Sequence, residues 1–216
     1  MKGFLSGRGQ HVPMQLSSYL TPSVPNSTWA AGDFLLGAGM IIIQPSMGKI
    51  VIISDPPSNA YFLPRGRKLL GESLEQTALR EAYEDSGYRT EFLPLYIPTN
   101  APSPLQDWQA YPRLSSEPIY ITVTSYPTSV RQQQVVRPAG KYIVFWYVGH
   151  IPENTVHELG TMMPDKQDYV SYLVSPEHAF QVLPPSEARA LNYALAIYNM
   201  TLEYESTHLE AGGNES

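Results

Sequence analysis

The stretch GRKLLGESLEQTALREAYEDSGY, residues Gly66 to Tyr88, concentrates acidic side chains at helical spacing. Glu81 is followed by Glu84 and Asp85, so that on an α-helix the carboxylates share one face. Like charges at this spacing destabilise an isolated helix by about 0.2 to 0.5 kcal/mol per pair, and a divalent cation relieves the repulsion. An all-oxygen cluster suits Mg²⁺ or Mn²⁺. The stretch therefore predicts a helix that presents carboxylates to a hard metal ion.

Local signals set the bounds of this helix. Ser73 followed by Gln76 forms a capping box, and Gly87 is placed to end the helix in the left-handed conformation. The predicted helix runs from about residue 74 to 86. Its apolar stripe, which we expect to pack on a sheet, consists of Leu74, Ala78 and Ala82, with Leu79 and Tyr83 alongside.

The fixed residues of the stretch resemble a known family pattern, the Nudix box. That pattern is Gly-x5-Glu-x7-Arg-Glu-U-x-Glu-Glu-x-Gly-U, where U is a bulky apolar residue, and here it begins at Gly66 and continues through Glu72. Ala82 is small for U, and Asp85 stands where glutamate is usual. The resemblance implies an α+β chain with the Nudix fold, an α/β/α sandwich around a mixed, curved β-sheet.

The resemblance also implies a reaction. Nudix enzymes hydrolyse a pyrophosphate bond in a nucleoside diphosphate linked to another group, or in a related polyphosphate, with Mg²⁺ or Mn²⁺. Metal would be held by Glu81, Glu84, Asp85 and the backbone carbonyl of Arg65. Asp85 is a methylene shorter than glutamate, so its reach to the metal is shorter by about 1.5 Å.

Three box residues are expected to act in catalysis. Glu81 has two open roles, as metal ligand or as the group that takes a proton from the attacking water. Arg80 and Glu72 are expected to form an ion pair that orients the acids. Gly66 is expected to permit the backbone turn that brings the Arg65 carbonyl to the cation.

The substrate is less closely specified. The Pro64-Arg65-Gly66 segment is similar to the Pro-Lys-Gly of Nudix enzymes acting on dinucleoside polyphosphates and diphosphoinositol polyphosphates, and we favour those substrates. Alternatives are ADP-ribose or nucleotide-sugar cleavage, cap removal, and a catalytically idle Nudix module that binds a nucleotide or a protein. The candidate phosphate-binding cations, which are also interpretable as solvated surface charge, are Arg65, Arg67, Lys68, Arg137 and Lys141.

A polar loop over residues 151–168 is expected to supply one more acid, because Nudix enzymes frequently take a metal ligand or general base from this region. The loop contains Glu153, Glu158, Asp165 and Asp168. Asp168 and Asp165 are the preferred candidates.

Composition restricts the class of protein. The chain has 216 residues, 43% of them hydrophobic, no cysteine and a net charge of −6. An acidic chain disfavours duplex nucleic acid as a partner but allows a small phosphorylated substrate. The absence of cysteine fits a reducing compartment, and we predict a cytoplasmic protein, without separating cytosol from nucleus. Mitochondrial import and secretion are disfavoured, no membrane partner is expected, and the oligomeric state is open.

The remaining patterns place one domain over residues 33–204, with a loosely ordered leader over 1–32 and a flexible tail over 205–216. Alternating or continuous apolar runs predict strands, and helical spacing predicts two further helices. The predicted strands are 34–44 and 49–54 as a hairpin, 61–63, 88–98, 119–125, a central 141–149, and 169–174. The predicted helices begin at 176 and near 186, the second ending near 204 with Ala188, Leu191, Leu195, Tyr198 and Leu202 buried.

Overall fold

A mixed β-sheet carries helices on both faces. The structure, a computed structural model, describes residues 26–99, 113–131, 134–161 and 168–212. The strands are β1 (Phe34–Gln44), β2 (Lys49–Asp55), β3 (Ala60–Phe62), β4 (Arg65–Arg67), β5 (Glu91–Phe92), β6 (Leu95–Tyr96), β7 (Leu114–Ser115), β8 (Tyr120–Tyr126), β9 (Ser129–Arg131), β10 (Gln134–Arg137), β11 (Gly140–His150) and β12 (Val170–Val174). The helices are α1 (Leu74–Ser86), α2 (Pro176–Val182) and α3 (Pro185–Gly212).

The main sheet is organised around β1. Its order is β12-β2-β1-β11-β5, with β3 paired to β2, β4 to β1 and β8 to β11. The pairing of β1 with β11 is parallel, from Phe34 opposite Lys141 to Ile43 opposite His150, whereas the other pairings are antiparallel. The sheet is therefore mixed, and the predicted α+β class and central position of β11 are confirmed.

Helix α1 lies on one face of this sheet. Ser73 and Gln76 form the predicted capping box, and Gly87 ends the helix at φ 71°, so the predicted bounds are confirmed. Ala78 and Ala82 are fully buried in the cluster that also contains alternate β1 residues. Their small side chains allow the close approach of helix to sheet, which brings the box residues against β4. Tyr83 departs from the predicted apolar stripe, because its hydroxyl donates to Glu158 at the loop side instead.

Helices α2 and α3 cover the opposite face. Side chains alternate between the two faces of a strand, so Ile41 and Ile43 of β1 lie on the face covered by α2 and α3, where they share a core cluster with residues of both helices. The helices on the two faces give the predicted α/β/α layering. The buried stripe of α3 is rotated from the predicted one, because Leu202 is 46% exposed and the buried positions are Glu187, Ala190, Leu191, Ala194, Ile197 and Thr201.

Three other sequence predictions were wrong in detail. The predicted strand over 88–98 is divided into β5 and β6, since β5 pairs with β11 whereas β6 pairs with β7. The segment holding Arg131 and Arg137, interpreted as a loop, forms the antiparallel pair β9 and β10. Helix α3 continues to Gly212 rather than ending near Tyr204. Residues 1–25 of the predicted leader lie outside the described residues.

No helix within the described ranges is long and apolar enough to cross a membrane.

We expect Gly87→Ala to destabilise the protein by about 3 kcal/mol, because two costs add there. Gly87 has a positive φ of 71°, and an added Cβ would lie 2.3 Å from the backbone oxygen of Glu158. Gly48→Ala is the matched control, since Gly48 has φ 59° and a Cβ added there would have no neighbouring atom within 4 Å. Its expected cost is about 1 kcal/mol, the strain alone. Urea unfolding measures both, and equal costs would contradict the role of the loop contact.

Candidate active site

The Arg80 guanidinium occupies the centre of the acidic cluster. Its Nε and Nη2 donate to the two oxygens of Glu72 at 2.7 and 2.8 Å, forming the ion pair that the sequence predicts. Its Nη1 donates to Glu81 Oε1 at 2.7 Å and to Glu84 Oε2 at 3.2 Å. The hydrogen bonds to Glu72 are the main cause that raises the pKa of Arg80 well above its ordinary value, so Arg80 remains a cation.

Glu72 is held from several directions. Besides Arg80, it accepts hydrogen bonds from the Leu69 N–H at 3.0 Å and the Thr77 hydroxyl at 2.9 Å. Hydrogen bonding to Arg80 is the largest of the causes that lower the pKa of Glu72 to about 2. Glu72 is therefore ionised at neutral pH and fixes Arg80 on the side of the helix that carries the acids.

The Glu72 interaction predicts a specific acid sensitivity. A carboxyl whose pKa is lowered on folding from 4.5 to about 2 contributes stability above pH 4.5, and this contribution is lost as the pH falls toward 2. The free energy of unfolding should fall between about pH 5.5 and about pH 3 in both proteins, but by roughly 1 kcal/mol less in Glu72→Gln than in wild type. This figure is reduced for solvent screening, because the ion pair is partly exposed. Urea unfolding at both pH values tests this, with Glu203→Gln on exposed α3 surface as control. A Glu72→Gln protein with the full wild-type acid sensitivity would contradict it.

Gly66 has a steric role that differs from the predicted one. It lies in β4 without a positive φ, so it makes no special turn, and that prediction was wrong. A Cβ at Gly66 would lie 1.9 Å from Glu81 Cδ and 2.0 Å from both carboxylate oxygens. The space that a side chain would fill at Gly66 is occupied by the Glu81 carboxylate, which is buried against the strand.

Asp85 connects α1 to the same strand. It is fully buried, and its Oδ2 accepts a hydrogen bond from the Arg65 N–H at 3.2 Å. Two hydrogen bonds to β1 flank β4, from the Met40 N–H to Pro64 O and from the Lys68 N–H to Leu36 O. Because the N–H and C=O of one antiparallel strand residue point to the same side, the Arg65 carbonyl also points away from β1, on the side where its N–H meets Asp85.

The side chain of Arg65 lies on the other face of the sheet, against α3. Its Nε donates to Glu187 Oε1 at 2.9 Å, and the second oxygen of Glu187 accepts from the Leu63 N–H at 2.6 Å. Burial, the largest single influence, lowers the pKa of Arg65, but the charge attraction and hydrogen bond of Glu187, with smaller contributions from Tyr142 and Asp85, together outweigh it and raise that pKa. Arg65 is thus neutralised by Glu187.

Glu187 is the residue of this region that the sequence interpretation missed. It stands in the first turn of α3, where an acidic residue is ordinarily explained by the helix dipole. The available signal was its spacing of three and four positions from Ala190 and Leu191, which places a carboxylate on the buried face of the helix. A buried carboxylate requires a partner, but the sequence does not say which one.

The donor chemistry of the site fits a hard divalent cation. Glu81 and Asp85 of α1 are buried beside β4, Glu84 is joined to Glu81 through Arg80, and oxygen donors of this kind suit Mg²⁺ or Mn²⁺. Within the described residues, no three Asp, Glu or His side chains are grouped as a ready-made metal site. Instead the cationic guanidinium of Arg80 bridges Glu81 and Glu84 through its Nη1. A metal ion at this position would therefore replace a charge that the carboxylates already attract.

The structure describes one of the two preferred candidates for the extra acid. Asp165 lies outside the described residues, and Asp168 is exposed ahead of β12, with no hydrogen bond or ion pair to α1 among the described contacts. Glu158 of the same loop is engaged elsewhere, since it accepts from Tyr83 at 2.6 Å and from Arg89 at 2.7 Å. Its N–H also donates to Gly87 O at 2.9 Å, so Glu158 fastens the loop to the end of α1.

The candidate phosphate-binding cations are dispersed. Arg67 is exposed, and its backbone oxygen accepts from Arg80 Nη2 at 3.0 Å. Lys68 Nζ donates to the Leu69 carbonyl at 3.2 Å, and Lys141 Nζ to the Ser125 hydroxyl at 2.9 Å. The side chain of Arg137 lies outside the described residues. Arg67 and Lys68 are thus the cations that flank the box without a carboxylate partner among the described contacts.

A cavity of about 520 Å³ lies away from the box. It is bounded by the tip of the β1–β2 hairpin and by α2 and α3, on the sheet face opposite α1. Its lining includes Ile43, Phe180, Asn192 and Tyr198, and it includes no box residue. The cavity therefore belongs to a different surface from the acidic cluster.

The chain is similar to solved structures of Nudix hydrolases, the family that the box resembles. An Ap4A hydrolase of C. elegans, in a binary complex, is 12% identical over 76% of this chain and 98% of its own, with a TM-score of 0.45. A NUDIX-family hydrolase from Clostridium perfringens is 16% identical over 76% and 97%, with a TM-score of 0.47. A NUDIX hydrolase from Nitrosomonas europaea is 14% identical over 75% and 88%, with a TM-score of 0.44. No protein-family model and no curated protein matches the chain.

Proposed function

We propose that this chain is a Nudix hydrolase that uses Mg²⁺ or Mn²⁺ to cleave a pyrophosphate bond in a small phosphorylated substrate. The observation that carries the proposal is the burial of Glu81 and Asp85 against strand β4, where Gly66 makes room for one carboxylate and the Arg65 amide binds the other, while Arg80 joins Glu84 to Glu81. A surface helix with solvated acids would have no need to bury two of the three against a strand.

The residues divide into holding and orienting groups. Glu84, Asp85 and the Arg65 carbonyl would hold the cation, with Glu81 as a further ligand or as the acceptor of a proton from the attacking water. When bound, the cation neutralises phosphate charge and makes water more nucleophilic. Arg80, fixed by Glu72, orients the carboxylates and limits how far they separate.

The favoured substrates are dinucleoside polyphosphates and diphosphoinositol polyphosphates. Several adjoining phosphates call for several cations, and Arg67 and Lys68 flank the box without carboxylate partners among the described contacts. Arg65 is a weaker candidate for binding phosphate than its position in the sequence suggests, because its guanidinium is bound to Glu187. Asp168, Asp165, Arg137 and Lys141 remain candidates for further contacts to metal or substrate.

A second candidate function is a nucleotide- or protein-binding module without catalysis. The bridge from Arg80 to both Glu81 and Glu84 favours it, because a permanent guanidinium there would leave no room for a metal ion. The two candidates differ in one respect, which is whether a divalent cation displaces Arg80 from the carboxylates.

A substrate panel separates these functions. Purified protein with Mg²⁺ or Mn²⁺ would be incubated with diadenosine polyphosphates, diphosphoinositol polyphosphates, ADP-ribose, a nucleotide sugar and capped RNA, and the products resolved by chromatography. We expect cleavage of a polyphosphate substrate that stops when the metal is chelated. Cleavage confined to ADP-ribose, nucleotide sugar or cap would replace the favoured substrate, and no product in any arm would favour the binding module.

A further inference from the structure

Glu187 is a buried acidic side chain on the sheet face opposite the box helix. Its side chain is 5% exposed, and each of its oxygens has a separate partner on the chain that enters β4. One partner is the Leu63 N–H and the other is the Arg65 guanidinium. These contacts fasten the first turn of α3 to the strand that borders the proposed metal site.

Arg65 is the residue at which the two helix layers meet. Its side chain reaches Glu187 of α3, whereas its backbone N–H reaches Asp85 of α1 at 3.2 Å. Because Glu187 also accepts from the Leu63 N–H, it holds the backbone two residues before the peptide N–H that reaches Asp85, as well as the Arg65 side chain.

Charge gives Glu187 a second effect. An unneutralised guanidinium would add a positive charge to the residue whose backbone N–H binds Asp85 and would repel a cation bound near that carboxylate, since such interactions are weakly screened in a partly buried site. Glu187 removes that repulsion by forming the ion pair at 2.9 Å.

We infer that Glu187 is a positioning residue for the metal site, which it serves by anchoring Arg65 and cancelling the charge of its guanidinium. The inference rests on the proposed function, because it concerns the same cation. Glu187 itself does not touch the metal or the substrate.

The test compares the Mn²⁺ affinity of four proteins by electron paramagnetic resonance of free Mn²⁺. They are wild type, Glu187→Gln, the double variant Glu187→Gln with Arg65→Gln, and Glu203→Gln as a control on exposed α3 surface. We expect Glu187→Gln to bind about 10-fold more weakly, the size usual for groups that orient metal ligands. Glu203→Gln is expected to match wild type. The double variant should recover part of the loss, because it removes the unneutralised charge.

Urea unfolding of each variant shows that the comparison is made between folded proteins. Wild-type affinity in Glu187→Gln would overturn the inference, and a double variant weaker than Glu187→Gln would overturn it too, since a merely structural contact predicts a further loss. If wild-type protein bound no Mn²⁺, the proposed function would fail separately. Metal-free amide exchange at Arg65 would then decide the anchoring, with faster exchange in Glu187→Gln supporting it and unchanged exchange overturning it.

Discussion

Glu84→Gln is expected to lower metal-dependent turnover at least about a thousandfold, which corresponds to about 4 kcal/mol of lost transition-state stabilisation. The physical reason is that an amide keeps the shape of the side chain but removes the negative charge that would bind the cation. Fold stability should change by less than about 1 kcal/mol, because Glu84 is partly exposed and its pair with Arg80 is long at 3.2 Å. Steady-state kinetics with Mg²⁺ or Mn²⁺, beside urea unfolding, measure both quantities.

Glu75→Gln is the matched control for this change. Glu75 lies in the first turn of α1 and makes a hydrogen bond with Tyr147 at 3.3 Å, but it does not contact Arg80 or the other box acids in the described bonds. We expect Glu75→Gln to retain wild-type turnover. Undiminished activity in Glu84→Gln would refute the assignment of the site, whatever the substrate proves to be.

Gly66→Ala is expected to reduce turnover at least about a hundredfold while costing roughly 1 kcal/mol of stability. The added methyl group would overlap the Glu81 carboxylate, whose atoms lie within 2.0 Å of the Cβ position. The Glu81 carboxylate is the end of a flexible side chain, so it can move aside without a shift of the backbone. Its displacement would break the bond with Arg80 and remove one of the two buried carboxylates from the proposed metal site.

The contrast between activity and stability is what identifies the role of Gly66. Gly48→Ala, at the hairpin tip, is expected to cost a similar amount of stability through backbone strain alone and to leave turnover unchanged. Measured kcat and urea midpoints of the two variants give the comparison. Loss of activity in proportion to stability in both proteins would show that Gly66 merely supports the fold.

Local features of α1 were predictable because their causes lie within a few residues. The capping box depends on Ser73 and Gln76, and the helix end depends on the conformational freedom of Gly87. The spacing of Glu81, Glu84 and Asp85 likewise follows from helical periodicity alone. The pairing of Arg80 with Glu72 was predictable only through the family resemblance, since the residues are joined by a loop and a helix turn.

Other features failed because their causes are distant in sequence. The buried face of α3 is set by the sheet beneath it, which rotates the helix so that Ala190 and Ala194 face inward and Leu202 outward. The division of the predicted strand at 88–98 depends on which neighbours accept its hydrogen bonds, β11 for one part and β7 for the other. Neither property is encoded in the apolar pattern of the segment itself.

The sequence by itself determined the acidic helix and its bounds, because these depend on spacing along a single element. Only the tertiary structure decided the role of Gly66, which is to admit Glu81, and the pairing of Arg65 with Glu187 across 122 positions of the chain. That pairing follows from the register of β4 with β1 and from the packing of α3 on the face of the sheet opposite α1. Both are set by contacts between elements, so that no local pattern specifies them.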